Sequence, residues 1–250
     1  MLTTSPQPMA DLTERQINIL KALIEAFIDE ASPIGSAVLV GKCQLACSPA
    51  TVRNEMAILS REGYIEKPHT SAGRIPTGLG FRFYISSLMD EQTIPVLQEV
   101  GVKQRLFQYR HSPGRLMREA VLALAETTGY LAVVAMDDEQ LFHAGTVNLL
   151  EHPEFYDINV MKSSLDLLDH YDVLHELFSQ TAELGKARVL VGKEIGLSGL
   201  EKVGLVFSRF GSERHGGAVA VLGPYRMDYA KVIPQVRHFS SILTEFSQSW

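Results

Sequence analysis

One asparagine and two arginines, Asn54, Arg53 and Arg61, stand among small residues in the stretch "SPATVRNEMAILSR" (48–61). A side-chain amide and a guanidinium are the groups that read adenine and guanine edges through paired hydrogen bonds. Their spacing matters as much as their type. At roughly 100° per residue, Val52, Met56 and Leu59 fall on one side of a helix. Ala50, Asn54, Ala57 and Arg61 fall opposite, flanked by Thr51 and Arg53. An ordinary outer face would carry Lys and Glu. This one is nearly bare, which lets a helix backbone come close to a groove, and the pattern implies a recognition helix for the major groove of a duplex. Ser48 is placed to accept a hydrogen bond from an orphan amide at the helix start, and Pro49 suits the first helical position, where no donor is needed.

The neighbouring segments must position that helix. Leu12, Gln16, Ile19, Leu20, Leu23, Ile24, Phe27 and Ile28 recur at helical spacing, with Asp11 as the expected cap. "ASPIGSAVLVGK" then gives a turn and a short second helix from about Ser36 to Gly41. After the third helix, Gly63 is a stop, "YIEK" and "RIPT" are strand candidates, and "HTSAG" is a turn between them. Helix, turn, helix and hairpin in this order is a winged helix. Its wing offers Lys67, His69, Thr70, Ser71 and Arg74, donors suited to phosphate or to a narrow minor groove. Ser48, Thr51 and the small Ala50 and Ala57 join Arg53, Asn54 and Arg61 as the expected contact residues on the helix.

The whole chain is acidic, with a formal net charge of −6 over 250 residues, which argues against indiscriminate coating of nucleic acid. Positive charge is instead local: residues 42–82 hold Lys42, Arg53, Arg61, Lys67, Arg74 and Arg82 against Glu55, Glu62 and Glu66. Two cysteines, Cys43 and Cys47, are too few for a disulfide scaffold and fit a reducing compartment. The first residues lack the basic start and apolar run of a signal peptide, and no stretch is apolar for the length of a bilayer crossing. The expectation is a soluble cytoplasmic protein.

Residues 100–250 read as a mixed domain. "AVLALAETTG" is helical, and "YLAVVAM", "LFHAGTV", "ARVLVG", "KVGLVFSRF" and "GGAVAVLG" are strand candidates. Residues 158–179 suit a helix, and the chain closes on another, which Pro234 should start or kink. The fold class is α+β, with an antiparallel or mixed sheet in the second part. The expected organisation is a winged helix over 1–90, a connection at 91–104, part of it helical, and a regulatory domain over 105–250.

The stretch "SPATVRNEMAILSREGYIEKPHTSAGRIPT", with "LTERQINILKALIEAFI" before it and "GFRFYI" after it, resembles the N-terminal domain of the HrcA family of heat-inducible transcription repressors. "GTVNLLEHPEF" (145–155) and "GGAVAVLGPYRMDYAKVIPQVRHFSSIL" (216–243) resemble that family's C-terminal signatures. The resemblance implies a dimeric repressor that binds an inverted-repeat operator upstream of chaperone genes and depends on the GroE chaperonin, with a GAF-like second domain. Family members usually carry an inserted dimerisation domain, whose place would fall between "YLAVVAM" and "LFHAGTV". Here the four residues "DDEQ" (137–140) fill that gap and suit a hairpin turn. A symmetric operator needs two recognition helices roughly 34 Å apart. The interdomain helix or the second-domain surface must then set the spacing.

Other constellations carry less. Cys43 and Cys47 have no second Cys or His pair at zinc spacing, so no metal is expected. His170 and His175 are five apart, which is not the one-turn spacing of a two-histidine site. "VGKEIGLSG" has no phosphate-loop spacing and reads as a strand end and loop, so no cofactor is expected. "GPYRMDY" reads as a helix start with a structural Arg–Asp pair, or else a small-molecule contact. No nucleophile elbow supports a triad. The residues leave three functions: a DNA-binding repressor, a winged-helix regulator controlled by a ligand on the GAF-like domain, and an enzyme, for which the sequence offers no defined constellation.

Overall fold

The structure is a computed structural model that describes residues 12–42, 48–68, 72–179, 183–211 and 216–248. It divides into two compact units, Met1–Met89 and Asp90–Trp250. The chain is mixed α and β: one part is largely helical and the other is built on a five-stranded sheet.

In the first unit, α1 (Glu14–Glu30) buries Ile19, Leu20, Leu23, Ile24 and Phe27. Its cap is Thr13, in a reciprocal box with Gln16: Thr13 Oγ1 accepts from the Gln16 amide while Gln16 Oε1 accepts from the Thr13 amide. Asp11, the cap expected from sequence, lies outside the described residues. α2 (Ser36–Lys42) and α3 (Pro49–Arg61) follow, then the hairpin β1 (Ile65–Glu66) and β2 (Ile75–Pro76), and α4 (Gly78–Phe83), which runs into a π-turn at Tyr84–Leu88. The apolar sides of α1 and α3 meet Ile34, Leu39, Tyr64 and Phe81 in one core, where Phe27 and Phe81 lie with ring centroids 6.3 Å apart.

The second unit holds α5 (Val96–Phe107), α6 (Pro113–Thr128), β3 (Leu131–Met136), β4 (Leu141–Ala144), α7 (Ile158–Asp169), α8 (Tyr171–Ser179), β5 (Ala187–Val191), β6 (Val203–Gly211), β7 (Gly216–Pro224) and α9 (Tyr229–Ser247). Its strands lie in the order β4-β3-β7-β6-β5, each pair antiparallel. Residues facing alternate ways are both buried: Leu131, Val133, Leu205 and Phe207 join α7 and α8 in one core, while Ser208 faces α9, where its hydroxyl meets that of Ser240 at 3.1 Å. Helices on both faces explain why β3, β6 and β7 read as unbroken apolar runs rather than alternating ones.

Three details depart from or sharpen the sequence reading. The helix expected over 158–179 is two helices. It breaks at His170, whose ring Nδ1 turns back to the Asp166 carbonyl at 2.7 Å. Pro234 does not start the last helix; Asp228 does, capping the Lys231 amide, and Pro234 sits within α9. A proline there leaves the Ala230 carbonyl without its usual donor, and the Gln92 amide takes that place at 2.9 Å. Residues 137–140 form the β3–β4 turn with Glu139 at φ 67°, closed by Met136 donating to the Gln140 carbonyl at 2.8 Å.

Candidate nucleic-acid interface

α3 begins where its local chemistry requires. Ser48 Oγ accepts from the Thr51 amide at 3.1 Å, the two hydroxyls lie 3.0 Å apart, and Pro49 occupies the first turn. Both hydroxyls are thus engaged at the cap. Val52, Met56 and Leu59 are buried against the unit's core. Ala50, Arg53, Asn54, Ala57 and Arg61 are all exposed, on the opposite side. The acidic Glu55 is drawn away toward α1, accepting from Gln16 Nε2 at 3.0 Å and lying 3.7 Å from Arg15. Arg61 lies 3.7 Å from the exposed Glu62, a pair weakened by solvent.

The hairpin is tied to the segment before α2. Ile34 and Arg74 exchange both backbone hydrogen bonds, at 2.8 and 2.9 Å, in an isolated antiparallel bridge that the Pro-Ile-Gly turn concealed. The approach is so close that a Cβ on Gly73 would lie 2.5 Å from the Ile34 carbonyl. At the hairpin base, Thr77 Oγ1 donates to the Gly63 carbonyl at 2.6 Å and accepts from the Gly80 amide at 3.2 Å. Lys67 is exposed. Arg74 is half-buried, and its Nε is buried with no hydrogen-bond partner among the described residues. Arg53, Lys67 and Arg74 line one cleft of about 420 Å³ with Met56 and Gly73. Sequence spacing put Arg53 with the helix face and Lys67 and Arg74 with the wing; the fold brings the three together. His69, Thr70 and Ser71 lie outside the described residues, as do Cys43 and Cys47.

In the second unit the two C-terminal signatures come together. Arg226 and Glu154 form a buried ion pair at 2.6 Å. The Arg–Asp pair expected within "GPYRMDY" is therefore corrected: Glu154 pairs with Arg226, and Asp228 serves as a helix cap. The Tyr130 ring stacks on His152 at 5.1 Å, and Asn148 Nδ2 donates to the Tyr130 carbonyl at 3.2 Å. Burial, ahead of the nearby Arg226 charge, holds His152 below the ordinary imidazole range, and burial likewise raises the Tyr130 phenol. These contacts pack the domain rather than open a site. His170 and His175 are exposed, with His175 stacked on Tyr171. Among the described residues, no three His, Cys, Asp or Glu side chains gather as metal ligands, and no helix is long and apolar enough to cross a membrane.

The family model for the HrcA protein C-terminal domain matches residues 84–233. The chain belongs to the HrcA family. Two curated relatives, each named heat-inducible transcription repressor HrcA, come from Carboxydothermus hydrogenoformans and Halalkalibacterium halodurans. Each is 26% identical, with 94% of this chain aligned to 98% and 97% of the relative. The alignments run over 335 and 339 positions, longer than the 250-residue chain. HrcA proteins of that length therefore carry inserted residues absent here. A solved crystal structure of a hypothetical protein shares the fold at a TM-score of 0.77 and 19% identity, covering 95% of this chain and 99% of the other.

Proposed function

We propose that this HrcA-family chain is a sequence-specific DNA-binding repressor of heat-shock genes, with residues 1–90 acting as a winged helix and 105–250 as a GAF-like regulatory domain joined through 91–104. The observation that carries the reading is the exposed, alanine-lined side of α3, with Asn54 between two arginines and its one acidic neighbour turned away. That face enters the major groove. Asn54 reads a base edge, Ala50 and Ala57 admit close approach, and Arg53, Lys67 and Arg74 grip the backbone beside it. Repression follows from occupancy: a protein seated on an operator excludes the transcription machinery. Binding needs no cofactor and no turnover.

The operator is an inverted repeat read by two copies, and GroE sets the supply of active protein in the cytoplasm; both points follow the family resemblance. Selection of bound DNA from a random pool tests the reading. An enriched inverted repeat is the expected result, and a pool that stays random after repeated rounds would overturn it.

A further inference from the structure

The cleft between α3 and the hairpin holds more positive charge than one backbone phosphate needs. Arg53 comes from the exposed side of α3, Lys67 and Arg74 come from the two arms of the hairpin, and all three line the same space of about 420 Å³. Among the described residues no carboxylate answers them: Glu55 is turned to α1 and Glu62 lies against Arg61. The main chain of Arg74 is committed to Ile34, while its side-chain Nε is buried with no hydrogen-bond partner among the described residues. A buried donor on a permanently charged group is costly to leave unpaired, and an incoming anion relieves that cost. The rest of the wall is largely small or apolar, with Ile34, Ala37 and Met56.

We propose that this cleft binds a free nucleoside diphosphate, which competes there with the DNA backbone and so releases the operator. Two sources share the phosphate chemistry, a duplex and a free phosphoester, and charge separates them. A backbone phosphate carries a single negative charge, whereas a terminal phosphate carries about −1.5 to −2 and the phosphate linked to it adds about one more. A nucleoside diphosphate therefore brings about three negative charges to three cations. Size agrees, because about 420 Å³ falls within the roughly 300–1,000 Å³ of small-molecule sites. The guanidinium forks of Arg53 and Arg74 suit paired phosphate oxygens, and Lys67 acts as a point charge beside them. The base lies on the wall of Ala37 and Met56, where a thioether meets an aromatic ring favourably.

The release of DNA rests on the repressor reading, but the binding of the nucleotide does not, so the first measurement contains no DNA. Calorimetric titration of the full chain with ADP, with no divalent cation added, should saturate at one per chain. Adenosine, and sulfate at matched ionic strength, should give no saturable heat. Arg74→Gln and Lys67→Gln should each weaken binding by roughly tenfold, the loss of one charged hydrogen bond, while Arg118→Gln, at an exposed position in the second unit, should leave it unchanged. Circular dichroism melting confirms that each variant is folded, and the exposed Lys67 keeps the test decisive should Arg74→Gln unfold the chain. In a gel shift on DNA enriched from the random pool, ADP at ten times its dissociation constant should weaken binding by about tenfold. Absence of saturable ADP binding, binding indifferent to Lys67→Gln, or a DNA complex that ADP leaves intact would each overturn the proposal. A pool that stays random while ADP still binds through Lys67 would leave the nucleotide site standing and the repressor reading fallen.

Discussion

Replacing Gly73 by alanine tests how the hairpin is held. The added Cβ would sit 2.5 Å from both the carbonyl carbon and oxygen of Ile34 and 2.9 Å from its nitrogen. These are backbone atoms, so no rotamer change relieves the clash, and the two segments must part. What parts first is the pair of hydrogen bonds between Ile34 and Arg74, at 2.8 and 2.9 Å. Each contributes about 0.5–1.5 kcal/mol net, so about 2 kcal/mol of local stability is lost. At 1.4 kcal/mol per tenfold, that is roughly a thirty-fold rise in the open population. Hydrogen exchange followed by NMR should show the Ile34 and Arg74 amides exchanging roughly thirty-fold faster, with the α1 amides unchanged. Gly35→Ala, one residue from Ile34 but with nothing within 4 Å of its Cβ, should change neither amide. If both amides in Gly73→Ala keep their protection within about threefold, the reasoning from steric contact to hairpin docking is wrong.

Four further outcomes are expected. Asn54→Ala should cost about 1–3 kcal/mol on DNA enriched from the random pool and far less on unselected DNA; equal losses in a gel-shift titration would remove Asn54 from base reading. Arg74→Ala should weaken binding to every sequence and reduce the log–log salt slope by about 1, and an unchanged slope excludes a phosphate contact. Arg226→Met strands the buried Glu154 carboxylate and should cost about 3–5 kcal/mol in urea unfolding, much of it recovered when Glu154→Gln is added. His152 and His238 are both held below the imidazole value of 6.5, chiefly by burial. The unfolded chain therefore takes up protons first, so their contribution is intact above about pH 6.5 and declines as pH falls below it. The exposed His170 shifts the opposite way, through the Asp166 carbonyl. Melting temperature should drop between pH 7.5 and 5.5, and the drop should shrink in His152→Gln with His238→Gln.

What the sequence made legible was local. Ser48, Pro49 and the Val52–Met56–Leu59 stripe sit within a few turns of one helix, and their physics needs no distant partner. The strands were legible as apolar runs for a related reason: with helices on both faces, every side chain in β3 is buried. Pairings across long separations were hidden. Ile34 meets Arg74 forty residues on, and Arg226 chooses Glu154 over the nearer Asp228, because contacts at such separations depend on the assembled fold. The Thr13–Gln16 capping box is legible in "TERQ", where a hydroxyl stands three residues before a side-chain amide. The convergence of Arg53 with Lys67 and Arg74 could not be read from a helical wheel, which knows nothing of the hairpin folded beside it.

Pro234 turns a missing proton into an anchorage. Because the Ala230 carbonyl is claimed by the main-chain nitrogen of residue 92, the grip on the segment leading into α5 is indifferent to which side chain stands there. Every amino acid but one can occupy position 92 and keep that hold. Proline at 92 would cut the mooring, and any other residue at 234 would bring a rival donor to the same oxygen.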